Sequence, residues 1–194
     1  MRFHVGPPPE NPEFDPAAGG WIKLKEPTPW LMQLAAVPIA LIVGAMLVLA
    51  VRQLGELKDI SLGSLLIILV LMFPVHELIH ALLHPGNGCS RDTVLGVWPK
   101  KIIFYAHYDS AWSRSRFHAV LLGPFLVLSV VPLSVEAVLR TNLTWIAWLS
   151  ILNGMASCGD IFACFLLFQV PRTAMLRNQG YYTWWQPTQM DRTT

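Results

Sequence analysis

The segment LGSLLIILVLMFPVHELIHALL, residues 62–83, combines a long apolar run with a polar motif near its end. Its length is what an α-helix needs to cross the hydrocarbon core of a bilayer. His76, Glu77 and His80 then place three ionisable side chains within five residues. Such side chains are costly inside a membrane and usually have a function there. The segment therefore predicts a membrane helix that carries a functional site.

Three further apolar stretches have the length of a membrane span, at about 31–51, 117–139 and 143–168. The whole chain of 194 residues is 54% hydrophobic and 13% charged, whereas soluble domains carry about 25% charged residues. We therefore predict an all-α membrane protein with about four transmembrane helices in a membrane domain spanning residues 30–168. The net charge of +2 is too small to indicate a nucleic-acid partner.

The segments outside the spans are a lead-in (1–29), a loop (84–116) and a tail (169–194). The lead-in is rich in proline, so we expect it to be irregular. Within the loop, TVLGVWPKKIIFYAHYD (93–109) has β-branched and aromatic residues on both sides of a proline and predicts a short β-hairpin. We hypothesise that a strand of this hairpin holds a substrate extended by β-augmentation, because a membrane-spanning substrate is otherwise helical.

The distribution of positive charge predicts the orientation of the spans. Eleven of the fourteen lysines and arginines lie in or beside the lead-in, the loop and the tail, and three lie in the other two connections. Because positively charged segments stay in the cytoplasm, both termini and the 84–116 loop are predicted to be cytoplasmic. The lipid bilayer is thus an expected partner of this multi-pass protein.

The motif within residues 62–83 has the spacing of a metal site. His76 and His80 are four residues apart, so both rings lie on one face of a helix and can reach a single ion. Glu77 lies beside them, where its carboxylate can take a proton from water, as in the HExxH pattern of zinc hydrolases. We therefore predict that His76 and His80 bind Zn²⁺ and that Glu77 is catalytic. The alternative is a helix end whose polar groups merely reach the lipid headgroups.

A catalytic zinc ion usually has three protein ligands, so a third is expected. The candidates are His84, His118, Asp109 and Asp160. Pro85 disfavours helix at His84, which we interpret as a residue at the membrane interface. Asp160 lies in the middle of the fourth apolar stretch, where an unpaired carboxylate would be costly, and at a depth similar to that of His80. Asp160 is therefore the preferred third ligand.

Asn153 lies seven residues before Asp160 and hence on the same helix face. Its amide could contact a substrate carbonyl or an oxyanion. The alternative is a hydrogen bond between helices, which is common for polar residues in membrane bundles.

Four pieces of sequence together resemble a known family. They are HELIHALL in a membrane helix, SRSRFHAVLLGPFLVLS opening the third stretch, NGMASCGDI in the fourth, and VPRTAMLRNQGYYTWW in the tail. In this combination, from Trp21 to Pro187, the chain resembles short multi-pass bacterial proteins classed as zincin peptidases. That family is similar in layout to the intramembrane metalloproteases of the site-2-protease type, although this chain has Gly159–Asp160 in place of a proline-flanked Asp-Gly.

The resemblance implies zinc bound by His76, His80 and Asp160, with Glu77 as the general base, in a bacterial inner membrane. The leading prediction is a membrane-embedded, zinc-dependent peptidase. It would hydrolyse a membrane or membrane-associated protein by metal-activated water near the cytoplasmic face. The alternative is a non-enzymatic metal-binding or regulatory membrane protein with the same ligands. A haem site using His76 or His80 together with His118 is a third interpretation, which leaves Glu77 and Asp160 unexplained.

Overall fold

The computed structural model describes residues 1–101, 103–141 and 143–188, and four long helical segments dominate it. A short helix, α1 (Pro16–Gly19), precedes α2 (Pro29–Leu54) and α3 (Leu62–Leu83). The third segment joins α4 (Arg114–Phe125), a π-helical turn (Leu126–Val130) and α5 (Val131–Leu139). The fourth joins α6 (Thr144–Ala156), α7 (Cys158–Leu166) and a 3-10 turn (Leu167–Gln169).

All four segments are long and apolar enough to cross a membrane, as the sequence predicted. The ends of three segments differ from the predicted ones, whereas α3 has the predicted bounds. The third begins at Arg114 because the Ser113 side chain caps it, accepting a hydrogen bond from the Arg116 N–H at 3.4 Å. Similarly, the Ser61 side chain accepts from the Ser64 N–H at 3.1 Å and begins α3.

Small residues let the helices pack closely. A Cβ on Gly154 of α6 would come within 2.2 Å of Leu47 in α2, and one on Gly123 of α4 within 2.1 Å of Leu83 in α3. Close backbone approach at glycine is a common basis of helix packing in membranes. The outward faces of the bundle are apolar and exposed, for example at Leu41 and Val70, as expected for surfaces that contact lipid.

In the described part of the chain seven strands form two sheets, so the prediction of an all-α protein was wrong in this respect. The strands are β1 (Arg2–Val5), β2 (Ile22–Lys23), β3 (Thr93–Trp98), β4 (Ile103–Tyr108), β5 (Trp112–Ser113), β6 (Met175–Gln179) and β7 (Tyr182–Gln186). One sheet has the order β1-β3-β4 and the other β2-β7-β6-β5. The predicted hairpin is confirmed as β3–β4, paired from Thr93 with Tyr108 to Trp98 with Ile103.

Most of the unpredicted strands pair with distant parts of the chain. The lead-in, which we expected to be irregular, supplies β1 beside β3 and β2 beside β7. The tail supplies β6 and β7, and β6 also pairs with β5 from the loop. These strands are two to five residues long, too short for a local alternation of polar and apolar residues to reveal them.

The strands collect at one end of the bundle, because they all precede α2, follow the fourth segment, or lie between α3 and α4. An aromatic core joins them to the helices. His84 belongs to it, 1% exposed, with its ring 5.3 Å from that of Tyr108 and 5.2 Å from that of Trp112. The interpretation of His84 as an interface residue is therefore wrong. Burial lowers the pKa of His84 to about 3, so the ring is neutral at pH 7.

Candidate metal centre

The structure brings His76, His80 and Asp160 together. The two histidines lie one turn apart on α3 and are 5% and 7% exposed. The fourth segment breaks at Ser157, which places Asp160 in the first turn of α7, pointing at them. Nε2 of His76 lies 3.2 Å from Nε2 of His80 and 3.2 Å from Oδ2 of Asp160, and Nε2 of His80 lies 3.4 Å from that oxygen.

These three distances match the spacing of ligands around zinc. Nitrogen and oxygen ligands at about 2.0–2.1 Å from a tetrahedral ion lie about 3.3 Å from one another. Among the residues that the structure describes, this is the group of three whose ligand atoms all lie within 4.8 Å of each other. The triangle therefore has the size that one tetrahedral ion requires.

A proline in the third segment orients His80. The Nδ1 atom of His80 lies 2.8 Å from the carbonyl oxygen of Val120. Since a carbonyl can only accept, Nδ1 carries the hydrogen, and in the neutral ring Nε2 has the free lone pair. Val120 is available because Pro124, four residues later, has no N–H to donate to it. Pro124 thus provides the acceptor that orients a candidate ligand.

Asn153 orients His76 by a similar chain of contacts. Its Nδ2 donates to the carbonyl oxygen of Pro124 at 3.0 Å and to Oγ of Ser129, in the π-helical turn, at 2.9 Å. The Pro124 carbonyl can only accept, so Oδ1 of Asn153 must be the atom that faces His76 Nδ1, at 2.9 Å. Nδ1 of His76 is therefore the donor, and its Nε2 also has the free lone pair.

The donor set fits zinc. Two imidazole lone pairs and a carboxylate oxygen point at one another at 3.2–3.4 Å, an arrangement that only a cation or a proton makes favourable. Two nitrogens and one oxygen leave a tetrahedral ion with one open position, as in catalytic rather than structural zinc sites. Hydrogen bonds that hold the other ring nitrogen are also typical of metal-binding histidines.

The side chain of Asn153, for which we considered a contact to substrate or an oxyanion, is occupied by other residues. The residue is fully buried, and its oxygen and both hydrogens of its amide nitrogen are engaged by His76, Pro124 and Ser129. The alternative of a hydrogen bond between helices describes these contacts. We did not single out Ser129 from the sequence; its position as a polar residue within an apolar span is the signal that could have done so.

Glu77 lies beside the triangle and faces open space. Together with His76 and Asp160 it lines a cleft of about 500 Å³, which Phe104 of β4 and Gly159 also border. With His80 and Asp160 it lines a second space of about 210 Å³ on the other side. Ala106 of β4 lines this second space together with Glu77. A base and three ligand atoms therefore meet at the wall of an accessible cleft.

The other candidate ligands have different partners. Nδ1 of His118 lies 3.0 Å from the carbonyl oxygen of Arg114 in its own helix. Asp109 makes ion pairs with Arg2 at 3.1 Å and with Arg177 at 3.8 Å, which join the loop to the lead-in and the tail. Neither belongs to the triangle.

Residues 69–175, more than half of the chain, match the sequence profile of the family described as "putative zincin peptidase". The chain belongs to this family. The match includes every residue of the triangle, Glu77, the β3–β4 hairpin and the third and fourth segments. Membership in the zincin peptidase family points to a zinc-dependent peptidase. No curated protein and no solved structure gives a significant match.

The orientation of His76 gives a testable prediction. Replacing Asn153 with Ala should weaken zinc binding by about 10- to 100-fold, the usual effect of losing a hydrogen bond to a metal-binding histidine. Competition with a fluorescent chelator measures this on purified protein. Ser150→Ala, a change at another fully buried polar residue of α6, is the control and should bind zinc as the wild type does. Equal zinc affinity in both variants would show that Asn153 does not orient His76.

Proposed function

We propose that the protein is a membrane-embedded zinc peptidase that hydrolyses a peptide bond in a membrane or membrane-associated protein. The observation that carries the proposal is the convergence of His76, His80 and Asp160 beside Glu77, at the wall of a cleft inside segments that are able to span a membrane. A purely metal-storing protein would not require a carboxylate next to an open coordination position.

When bound, zinc polarises the scissile carbonyl and makes water more acidic. Glu77 takes a proton from the attacking water while the water oxygen forms a bond to the carbonyl carbon. The same carboxylic acid then gives the proton to the leaving nitrogen as the C–N bond breaks. Glu77 lines both spaces beside the metal-binding atoms, so its carboxylate is placed to reach the attacking water and the leaving nitrogen.

The free edge of β4 is suited to holding the substrate extended. Among the described strands β4 lies at one edge of its sheet, with β1 at the other. The N–H of Asp109, directly after β4, donates toward the β3 side, to the carbonyl of Asp92. Because backbone groups alternate in direction along a strand, those of Ala106 and Phe104 point the opposite way, toward Glu77 and the cleft. A substrate strand that pairs there would lie beside the triangle.

We also propose that the end of the bundle carrying the sheets faces the cytoplasm of a bacterial cell, with the protein in the inner membrane. Ten of the thirteen lysines and arginines among the described residues lie in or beside the segments at that end, which supports this orientation. Water would then enter the cleft from the cytoplasm, in a layout like that of the site-2-protease type.

The test is cleavage by the full chain in lipid nanodiscs, with a library of synthetic single-span peptides as the probe. Zinc-loaded protein should release fragments whose new carboxyl group contains ¹⁸O when the reaction runs in labelled water. A chelator should stop the cleavage and added zinc should restore it. Cleavage that survives chelation, or a zinc-loaded protein that cleaves no member of the library, would contradict the proposal.

A further inference from the structure

The catalytic cleft continues outward to a second space. This outer space, of about 450 Å³, lies between the start of α2 and the tip of the β3–β4 hairpin. Gln33, Ile103 and Tyr181 line both the outer space and the cleft that holds Glu77. The shared lining makes them one continuous path from the hairpin tip to the metal centre.

The outer space has a distinct chemical character. Lys100 and Lys101, both exposed, lie at its edge on the hairpin tip. Trp98 and Tyr181 form a wall, with ring centroids 6.5 Å apart, and Trp30, 67% exposed, stands opposite on α2. Among its described lining residues there is no carboxylate to neutralise the lysines. The space thus presents two unneutralised cations above an aromatic surface.

The strand register relates this space to the scissile bond. A substrate strand paired with β4 advances in step with it, at about 3.3 Å per residue. The bond to be cleaved is placed near Ala106, which lines one space with Glu77, and the hairpin tip begins beyond Ile103. A substrate residue three to five positions from the scissile bond would therefore lie roughly 10–16 Å away, within reach of the lysines.

We propose that this outer space is a substrate-binding subsite for an extended acidic segment, whose carboxylates pair with Lys100 and Lys101 about three to five residues from the scissile bond. The inference rests on the proposed peptidase function and adds a selectivity to it. Peptide carboxylates are favoured over lipid phosphates as the occupant because the lysines line a cleft that continues to Glu77 along a free strand edge, rather than an outward helix face.

The experiment uses two fluorescent peptides that are identical except that glutamates in one are lysines in the other. Binding is measured by anisotropy to zinc-loaded protein in nanodiscs of neutral phosphatidylcholine. The wild type should bind the acidic peptide about five- to tenfold more tightly, as expected for two exposed ion pairs. The double variant Lys100→Glu/Lys101→Glu should reverse this order. Lys58→Glu, in the connection between α2 and α3 at the other end of the bundle, should leave it unchanged.

Equal binding of the two peptides by the wild type, or the same order of binding in the double variant, would overturn the subsite. If peptide binding depended on the two lysines only in nanodiscs of anionic phosphatidylglycerol, the subsite would also be overturned, in favour of a lipid contact. The binding measurement does not need turnover. Cleavage without charge preference would therefore reject the subsite alone, whereas a reversible charge preference without cleavage would reject the peptidase function alone.

Discussion

Replacing Glu77 with Gln should leave zinc binding intact and reduce peptide cleavage by about 10³-fold, the range of losses seen when a general acid–base group is removed. Glutamine has nearly the same shape and can occupy the same place in the cleft wall, but it cannot take a proton from water. The metal-binding atoms belong to His76, His80 and Asp160, so the zinc content should not change. Zinc analysis and cleavage assays on the same preparation measure both quantities.

A matched control for this variant is Glu26→Gln. The Glu26 carboxylate accepts a hydrogen bond from the N–H of Thr183 and supports the tail rather than the cleft. That variant should retain cleavage, although its stability falls. Glu77→Gln protein that cleaves at the wild-type rate would remove Glu77 from the mechanism.

Replacing Asp160 with Ala should reduce zinc from one ion per chain to a small fraction after dialysis. The change leaves two histidine nitrogens, and a site that loses one of three protein ligands should lose at least about 100-fold in affinity, more than the loss of a supporting hydrogen bond. His80→Ala should behave in the same way. Zinc quantification on purified wild type and variants checks this directly.

Asp109→Ala is the aspartate control, because Asp109 pairs with Arg2 and Arg177 outside the triangle. It should keep a full complement of zinc. If Asp160→Ala also kept it, the third ligand would have to be another residue, and the triangle would not be the metal site.

The sequence was sufficient for features that depend on local pattern. Length and apolar composition predicted the four spans, and the β-branched and aromatic residues on both sides of Pro99 predicted the β3–β4 hairpin. The cost of an unpaired carboxylate in an apolar span singled out Asp160, which the structure places 3.2 Å from His76. A carboxylate in an apolar span must have a positively charged or hydrogen-bonding partner, and the apolar spans contain few such residues.

Features that depend on distant parts of the chain could not be predicted. The strands β1 and β2 pair with partners up to about 160 residues away, and no local period reveals such pairs. The strands β6 and β7 form a local hairpin that we did not predict. The acceptors for the two histidines were also hidden. From the sequence, Pro124 indicates only that one backbone N–H is absent from the helix. That this absence leaves the Val120 carbonyl free to accept from His80 becomes visible only in the structure. Asn153 was named as a candidate contact, but the sequence did not show that its side chain contacts His76.

The central claim is that one zinc ion is held by two imidazoles and one carboxylate with a position left open. X-ray absorption at the zinc edge of the purified full chain tests it most directly. The account predicts four light ligands at about 2.0–2.1 Å, with the scattering pattern of two imidazoles, and the loss of this pattern in His80→Ala. A sulfur ligand at about 2.3 Å, as a site built on Cys158 or Cys164 would give, or a spectrum without imidazole scattering, would contradict it.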